Sequence, residues 1–410
     1  YFHDLGWNGV LVASDNGTLQ NDWDVIRNNI AEVLYAGIEL TNATNSTVQY
    51  NTISARVTNN AGQQTDPGDS GVGIEIATRD QAGIGVTSGN TLVDSNVITG
   101  VLFERAGINL LSRAYAGTSN AVLENVTVSN NTVSGSTGRG GIVVVAEERN
   151  SATNASFTSL AINSNTLTGN TTGLSIGILG APYDNATGVD GSYGITVITG
   201  NTFTTNTDYH LRDIAESLGG QKVYEIFTNT DVAAGFAGTG NTFDTSTVVT
   251  NGAGVVQSTT SLVIRPTIQQ SIDDAGSGDT VEVAAGTYNE TVTINRNNLT
   301  LTGDPGATGA TSSDAGPGSN APLLDGTGLG NTSAIFLGAV SNVTIAGFEI
   351  ANYANGAPGP GGTGGVGSGI ESFDVATNNI TIRDNYFHDL GWNGVLVASD
   401  NGTLQNDWDV

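Results

Sequence analysis

The sequence lacks several residue types, and each absence removes a class of protein. Its 410 residues include no cysteine, which excludes disulfides, zinc ribbons, thiol catalysis and iron–sulfur ligation. Methionine is absent, Lys222 is the only lysine and aspartate outnumbers glutamate, so strong helix formers are scarce and a helical bundle is not expected. Proline is low, at 8 residues, which argues against a disordered linker. No apolar run approaches the roughly 18 residues that a membrane span needs.

Basic residues are also few, and the net charge is −27. Such a surface repels nucleic acid and anionic membranes, so neither is expected as a main ligand. The acidity is typical of an exposed protein from a salty or calcium-rich medium, although solubility alone would also explain it. Glycine, at 57 residues, has about twice its usual share, which suits many tight bends within regular structure.

The first and last segments of the chain are identical. Residues 1–25 and 386–410 both read YFHDLGWNGVLVASDNGTLQNDWDV, at an offset of 385 residues. Chance does not produce such an identity, so we interpret the chain as a window on a tandem array of 385-residue units. The lack of an initiator methionine and of a signal peptide favours the same interpretation. We expect 1–244 to be the C-terminal part of one unit, 245–264 a connector and 265–410 the N-terminal part of the next.

A shorter pattern recurs within the unit: an apolar residue, two residues, Asn, one residue and another apolar residue. Its asparagines are Asn28, Asn51, Asn96, Asn131, Asn165, Asn201 and Asn385, with a weaker match at Asn241. Between them lie Gly-led alternations such as GVGIEIAT (71–78), which predict strands. We expect each cycle to be one coil of a solenoid, with Asn in the left-handed conformation at a bend and its amide bonded to the next Asn in a ladder. The alternative, a β-sandwich with Asn turns, requires closely spaced Asn-Gly hairpins, which are few here.

Residues 266–289 predict a short helix followed by a strand. Pro266 suits a first helical turn, Ile268 and Ile272 form a one-sided apolar stripe, and Gly276 is placed to end the helix. Such a helix would cover the open end of the first coil.

The same region carries a family resemblance. The stretch PTIQQSIDDAGSGDTVEVAAGTYNETVTI, with LTLTG (299–303) and LLDGTG (323–328), resembles the start of a pectate-lyase-like right-handed parallel β-helix. The resemblance covers essentially the whole unit and implies an all-β, right-handed parallel β-helix with a short N-terminal capping helix. It implies no single activity, because the family includes lyases, glycoside hydrolases, adhesins and non-catalytic surface proteins.

The sequence offers little for catalysis. The family's hydrolases resemble one another in NTD, paired Asp, GHG and RIK motifs, but this chain has only TNTD, at 205–208 and 228–231. The nearest acid–base candidates are Asp208, His210 and Asp213, but without a motif a solvated turn is the better explanation of these residues. We therefore expect no catalytic site and no required cofactor.

The best metal candidate in the sequence is a calcium site, and Asp273, Asp274 and Asp279 near the predicted helix form a second, weaker acidic cluster. The loop 66–83 carries Asp66, Asp69, Glu75 and Asp80, which could supply hard oxygen ligands. An acidic cluster of this kind is also typical of solvated surface, and the EF-hand spacing is absent.

Sequons of the Asn-x-Ser/Thr type are frequent, as expected in a chain rich in Asn and Thr. Candidate glycosylation sites are Asn42, Asn45, Asn125, Asn170, Asn185 and Asn289.

Three functions remain open. The first is a structural unit of an extracellular filament or cell-surface fibre, whose partners are neighbouring copies of itself; near-identity between units favours it. The second is an adhesin or glycan-binding stalk, with Trp7, Trp23 and Tyr35 as a sugar platform. The third is a polysaccharide lyase or hydrolase, which the missing motifs disfavour.

Overall fold

The computed structural model describes residues 1–2, 8–14, 17–33, 35–55, 71–100, 106–115, 119–149, 154–177, 189–213, 239–250, 262–303, 321–354 and 367–410. These residues divide into two compact units. Unit 1 is Tyr1–Thr228 with Ala237–Phe243 and Thr259–Val263, and unit 2 is Asn229–Phe236 with Asp244–Ser258 and Ile264–Val410. The predicted repeat boundaries stay a prediction.

Short strands dominate both units. The first are β1 (Val10–Val12), β2 (Gln20–Asn21), β3 (Asp24–Ile26), β4 (Asn29–Val33), β5 (Ala36–Thr41), β6 (Ala43–Thr44), β7 (Thr47–Gln49), β8 (Thr52–Ala55), β9 (Val72–Asp80), β10 (Val86–Asp94), β11 (Val97–Thr99), β12 (Ala106–Ala114), β13 (Ala121–Ser129), β14 (Thr132–Ser134), β15 (Gly140–Glu148), β16 (Ala155–Asn163), β17 (Thr166–Thr168), β18 (Thr172–Ile176), β19 (Val189–Asp190), β20 (Ser192–Thr199), β21 (Thr202–Thr204), β22 (Tyr209–Asp213) and β23 (Thr242–Phe243). They are followed by β24 (Thr247–Thr250), β25 (Leu262–Ile264), the helix α1 (Ile268–Asp274), β26 (Thr280–Val283), β27 (Thr287–Tyr288), β28 (Val292–Ile294), β29 (Thr300–Gly303), β30 (Leu323–Asp325), β31 (Ile335–Leu337), β32 (Ser341–Ala346), β33 (Glu349–Ala351), β34 (Ile370–Phe373), β35 (Thr377–Arg383), β36 (Tyr386–His388), β37 (Val395–Ala398) and β38 (Gln405–Asp409).

Unit 1 is built from three sheets that take strands in rotation. The first sheet has the order β1-β5-β9-β12-β15-β18-β22-β25 with β19 beside β15, the second contains β2, β3, β6, β7, β10, β13, β16 and β20, and the third has the order β23-β21-β17-β14-β11-β8-β4. From β5 to β22, neighbours in the first sheet pair in parallel. We call one set of consecutive strands, one from each sheet, a layer.

Residues at the same place in successive layers form columns that make the core. One column of the first sheet runs through Ile38, Ile74, Ile108, Ile142, Leu174 and Leu211. All six are fully buried, and burying one such side chain stabilises the fold by about 1.5–3 kcal/mol. The period-2 alternation in the sequence thus becomes a stack of aliphatic side chains.

A glycine column explains the Gly-led starts of β5, β9, β12, β15 and β18. A Cβ at Gly37 would lie 2.6 Å from the carbonyl oxygen of Gly73 and 2.7 Å from the side chain of Ile53, and one at Gly73 would lie 2.5 Å from the oxygen of Gly107. Only glycine lets successive layers approach this closely.

Unit 2 repeats the arrangement with shorter sheets. Their orders are β24-β26-β29-β32-β35-β38, β27-β30-β33-β36 and β28-β31-β34-β37, parallel except that β24 lies antiparallel to β26. Part of the predicted connector is therefore a strand of unit 2. Residues 251–261 of that connector lie outside the described residues.

The helix α1 matches the predicted cap helix. Thr267 is its N-cap, and Ile268 and Ile272 are buried in the core cluster of unit 2. Glu290 accepts hydrogen bonds from the backbone N–H groups of Ile268 and Gln269 at 2.8 and 3.0 Å. Gly276 does not end the helix as expected, because Ala275 has already turned to an extended conformation.

The all-β expectation is confirmed: the described residues are 59% strand, with one short helix and stacked parallel sheets. Within the described part of the chain, no helix is long and apolar enough to cross a membrane.

Candidate functional site

A row of buried amides runs along the bends between the second and third sheets of unit 1. Its members are Asn28, Asn51, Asn96, Asn131, Asn165, Asn201 and Asn241. In each step, the backbone N–H and one side-chain N–H of an asparagine donate to the Oδ1 of the next asparagine, at 2.9–3.1 Å. From Asn51 on, the other side-chain N–H donates to a strand carbonyl one layer back, as Asn96 does to Val48 at 2.8 Å.

This buried asparagine ladder satisfies both polar ends of its inner members. Each Oδ1 accepts two hydrogen bonds and each Nδ2 donates at least two, so burial leaves no amide atom of Asn51 to Asn201 without a partner. Six of the seven asparagines that the sequence placed in a ladder lie in this row, and Asn241 extends it.

The backbone of the ladder differs from the expectation. The residues with positive φ are those immediately before the asparagines, namely Arg27, Tyr50, Ser95, Asn130 and Ser164, at +53° to +59°. The expected left-handed conformation of the ladder asparagines themselves was wrong. Asparagine is needed there for its amide, and the bend is made one residue earlier, at a cost of about 1–2 kcal/mol for each non-glycine residue.

Asn385, the seventh predicted member, occupies the equivalent place in unit 2. Its Oδ1 accepts the backbone N–H of Phe348 at 3.0 Å, and its Nδ2 donates to the carbonyl of Ile345 at 3.0 Å. Asp384, the residue before it, has φ +57°. Phe348 occupies the ladder position one layer before Asn385, and it has no side-chain amide. The ladder of unit 2 therefore begins at Asn385.

Two further rows of asparagine amides lie at another bend of the chain and are exposed. The sequence pattern used above does not predict them. In unit 1, Asn125 donates to Asn90 at 3.0 Å and Asn90 to Asn45 at 3.3 Å. In unit 2, the equivalent row is Asn298, Asn342 and Asn379, with amide contacts of 2.7 and 2.8 Å. All six have φ between +50° and +58°, so here asparagine does supply the left-handed conformation. Aligning the sequons Asn45 and Asn125 at the spacing of the layers would have revealed the first row.

The remaining glycosylation candidates lie in different surroundings. Asn42 and Asn170 are fully buried, and Asn170 bonds to Asn206 in a second short amide row, so the folded chain leaves no room for a glycan on either. Asn289 is exposed, and its Nδ2 donates to the carbonyls of Asp325 and Thr327. Asn185 lies outside the described residues.

The proposed calcium ligands are only partly described. Asp66 and Asp69 lie outside the described residues. Asp80 accepts four backbone N–H groups, those of Gly83, Ile84, Gly85 and Asn120, at 2.8–3.2 Å. Among the residues that the structure describes, no three acidic or histidine side chains lie close enough to hold a metal ion. Glu75 and Asp80 belong to strand β9 and not to a loop as expected, and the calcium site itself stays a prediction.

Glu75, the fourth proposed ligand, belongs to an ionic row on the first sheet. It forms an ion pair with Arg79 and accepts from Asn109 at 3.0 Å. Arg79 also lies 3.5 Å from Glu39, which accepts from Asn8 at 2.9 Å. The register Glu39–Glu75–Asn109 places these side chains in one column, at positions that alternate with the buried isoleucines.

The charges of the ionic row shift the pKa values of two of its members, Glu39 and Arg79. Burial raises the pKa of Glu39, the nearby Glu75 carboxylate raises it further, and Arg79 opposes both. Burial alone would lower the pKa of Arg79, but the two carboxylates outweigh it and raise that pKa above its ordinary value. Both carboxylates are buried with their oxygens engaged, so the row is suited to holding layers together and not to attacking a substrate.

A second ionic group continues along the same sheet. Arg113 donates to Glu147 at 2.6 Å, and Arg149 forms an ion pair with the same carboxylate. The guanidinium groups of both arginines lie within 5.8 Å of the ring centre of Tyr115. Neither ionic group could be predicted from the sequence, because their ion pairs join strands of different layers and depend on how those strands are aligned.

The acid–base candidates do not share an open site. His210 is fully buried, lies edge-on to the stacked rings of Phe203 and Phe243, and its Nδ1 contacts Asn206 at 3.1 Å. Asp213 is also buried, whereas Asp208 is exposed. The TNTD at 228–231 lies outside the described residues.

No known protein family, curated protein or solved structure matches the chain.

Proposed function

We propose that each unit is part of a right-handed parallel β-helix, in which every layer is one coil. The observation that supports this proposal is the rotation of successive strands among three sheets, so that a strand pairs in parallel with the strand one coil later. Parallel crossover connections within one sheet are right-handed in about 98% of cases.

We propose that the chain serves as a structural repeat unit of an extracellular filament or cell-surface fibre. The observation that carries this is the 25-residue identity at a 385-residue offset, since a scaffold gains from repetition and an enzyme seldom does. The polar groups of the sheets support the same role: the ladder amides and the ionic row bond to one another across layers. Neighbouring copies of the chain are the proposed partners.

The extracellular location rests on composition. A net charge of −27 without cysteine suits an acidic surface exposed to salt or calcium, and it disfavours nucleic acid as a partner. Labelling intact and permeabilised cells with an antibody to the chain tests it, and labelling only after permeabilisation would contradict it.

Electron microscopy of purified chains with one, two and three 385-residue repeats tests the fibre. In the proposed array, one column of residues would have ten levels per repeat: Val292, Ile335, Ile370, Val395 (the twin of Val10), Ile38, Ile74, Ile108, Ile142, Leu174 and Leu211. Ten levels at about 4.8 Å each make roughly 45–50 Å. Rods should therefore lengthen by at least that amount per added repeat, and particles whose length does not grow would contradict the proposal.

A glycan-binding stalk is the second candidate, and exposed aromatic side chains favour it. Trp392 is 48% exposed and Trp23 is 43% exposed. Tyr35 is buried and Trp7 lies outside the described residues, so Trp23 is the one member of the predicted platform that the structure describes as exposed. Trp392, the twin of Trp7, is exposed in unit 2. Binding on a glycan array that is lost in the variant Trp392→Ala would support this function.

We propose no catalytic role. Incubating the purified chain with pectin, alginate and similar acidic glycans should release no unsaturated or reducing ends above blank. Release that disappears with Asp208→Ala would overturn this proposal.

A further inference from the structure

The 25-residue duplicated segment forms a layer in both units, but the two copies use opposite edges. In unit 1, the copy 1–25 pairs with the layer that follows it: Val10 lies opposite Ile38 and Val25 opposite Val48. In unit 2, the copy 386–410 pairs with the layer that precedes it, with Val395 opposite Ile370. Taken together, the two copies show a neighbouring layer for each of the two strand edges of the segment. Within the described residues, each copy pairs along only one of these edges.

The side chains record which edge is covered. Val12 is 5% exposed, whereas its twin Val397 is 38% exposed. Val25 is 6% exposed, and its twin Val410 is the last residue of the sequence. Residues 29–55, which we call the layer 29–55, follow the first copy and cover Val12 there. In the second copy the equivalent side chain, Val397, stays exposed.

The asparagine ladder shows the same complementarity. Among the described residues, Asn385 has no acceptor for its backbone N–H, and the Oδ1 of Asn28 has no donor. Every other step of the ladder joins this donor to this acceptor at 2.9–3.1 Å. Asn385 immediately precedes Tyr386, the twin of Tyr1. If the second copy of the segment took the place of the first, Asn385 would therefore stand one ladder step before Asn28.

The ionic row supplies a third match. Asn8 donates to Glu39 at 2.9 Å and accepts the backbone N–H of Ala36 at 3.1 Å. Its twin Asn393 has no side-chain hydrogen bond within the described residues. Asn393 of the second copy thus carries the same amide group that Asn8 of the first copy uses to bind strand β5.

We propose that the layer 385–410 of one chain docks on the layer 28–55 of a second copy of the same chain, in the place of that copy's residues 1–25. Docking pairs Val395 with Ile38, buries Val397 and Val410, and joins Asn385 to Asn28. The same contacts would link consecutive repeats within the proposed array, so this inference rests on the proposed function. The two fail separately: rods built from covalently joined repeats test the array, whereas association between separate chains tests the docking.

Twin substitutions in the full 410-residue chain test the docking. Val12→Asp with Val25→Asp should loosen the segment 1–25 and expose the layer 29–55, so this variant should form head-to-tail oligomers. The matched variant Val397→Asp with Val410→Asp changes the same residue types where they are exposed, and it should stay monomeric with an unchanged melting temperature. Combining all four substitutions should weaken association at least about tenfold relative to the first variant. Light scattering in high salt, which screens the net charge, gives the masses.

Two results would overturn the proposal: a first variant that is folded, exchanges its 29–55 amides rapidly and yet stays monomeric, or a fourfold variant that assembles as well as the first. Disulfide trapping in the chain with segment 1–25 unchanged covers the case in which the first variant does not fold, because prolonged oxidation captures the brief openings of that segment that admit a second chain. Asn21 pairs with Thr44, so a chain with Asn406→Cys, the twin position, should cross-link to a chain with Thr44→Cys under oxidation. A chain with Thr158→Cys, an exposed site on the same sheet, is the control. Cross-linking to neither, or equally to both, would refute the docking.

Discussion

Replacing Asn165 by alanine removes one amide from the middle of the buried asparagine ladder. The Oδ1 of Asn165 accepts from the backbone N–H and the Nδ2 of Asn131 at 3.1 and 3.0 Å. Its Nδ2 donates to the carbonyl of Val128 at 2.9 Å and to Asn201 at 3.0 Å. Four buried hydrogen bonds, each worth about 1 kcal/mol net, predict a loss of about 4 kcal/mol in the free energy of unfolding. Urea titration followed by circular dichroism measures it, with an unchanged slope as evidence of the same folded state.

Asn90→Ala is the matched control. Asn90 also stands in the middle of an amide row, but that row is exposed, so water replaces its two amide contacts. We expect a loss of about 1 kcal/mol, mostly from placing alanine at a φ of +50°. Equal losses at Asn165 and Asn90, or a loss below about 1 kcal/mol at Asn165, would refute the argument that burial gives the ladder its strength.

Three further predictions follow from charge. Arg79→Met should lower the free energy of unfolding by about 3–5 kcal/mol, because it removes the guanidinium that neutralises the buried carboxylates of Glu39 and Glu75, and adding Glu75→Gln should restore part of that loss in the same urea titration. Hydrogen bonds to Asp389 and Glu349 raise the pKa of His388, so its stabilisation is complete below pH 6.5 and is lost as pH rises through the raised pKa; NMR titration should show this, and His388→Gln should flatten the pH profile of unfolding. The melting temperature should rise with sodium chloride, because a net charge of −27 repels itself, and a melting temperature independent of salt would contradict this.

Much of the fold could be predicted, because it repeats. The spacing of Asn51, Asn96 and Asn131 marks successive layers, and the apolar residues beside them mark the core, so period alone predicted strands and a ladder. The helix α1 was predicted from one apolar stripe and a proline.

The features that were missed depend on register and on backbone angles. The residues that make the left-handed bend, such as Arg27, Tyr50 and Ser95, share no side-chain chemistry, so the sequence carries no signal for them. The sequence suggested Glu75 only as a calcium ligand and did not single out Glu39, and only the parallel register brings the two residues together around Arg79. A prediction of the ionic row would have required the layers to be aligned first.

The central claim is that the duplicated segment is one layer with a partner on each side, and a permuted chain tests it most directly. Residues 262–410 joined to residues 26–261 contain every position of one 385-residue repeat and a single copy of the segment. Its crystal structure should place Val395 between Ile370 and Ile38, with Asn385 donating to Asn28. A structure in which the segment pairs only with the layer 370–383, and the layer 29–55 keeps an open edge, would contradict the account.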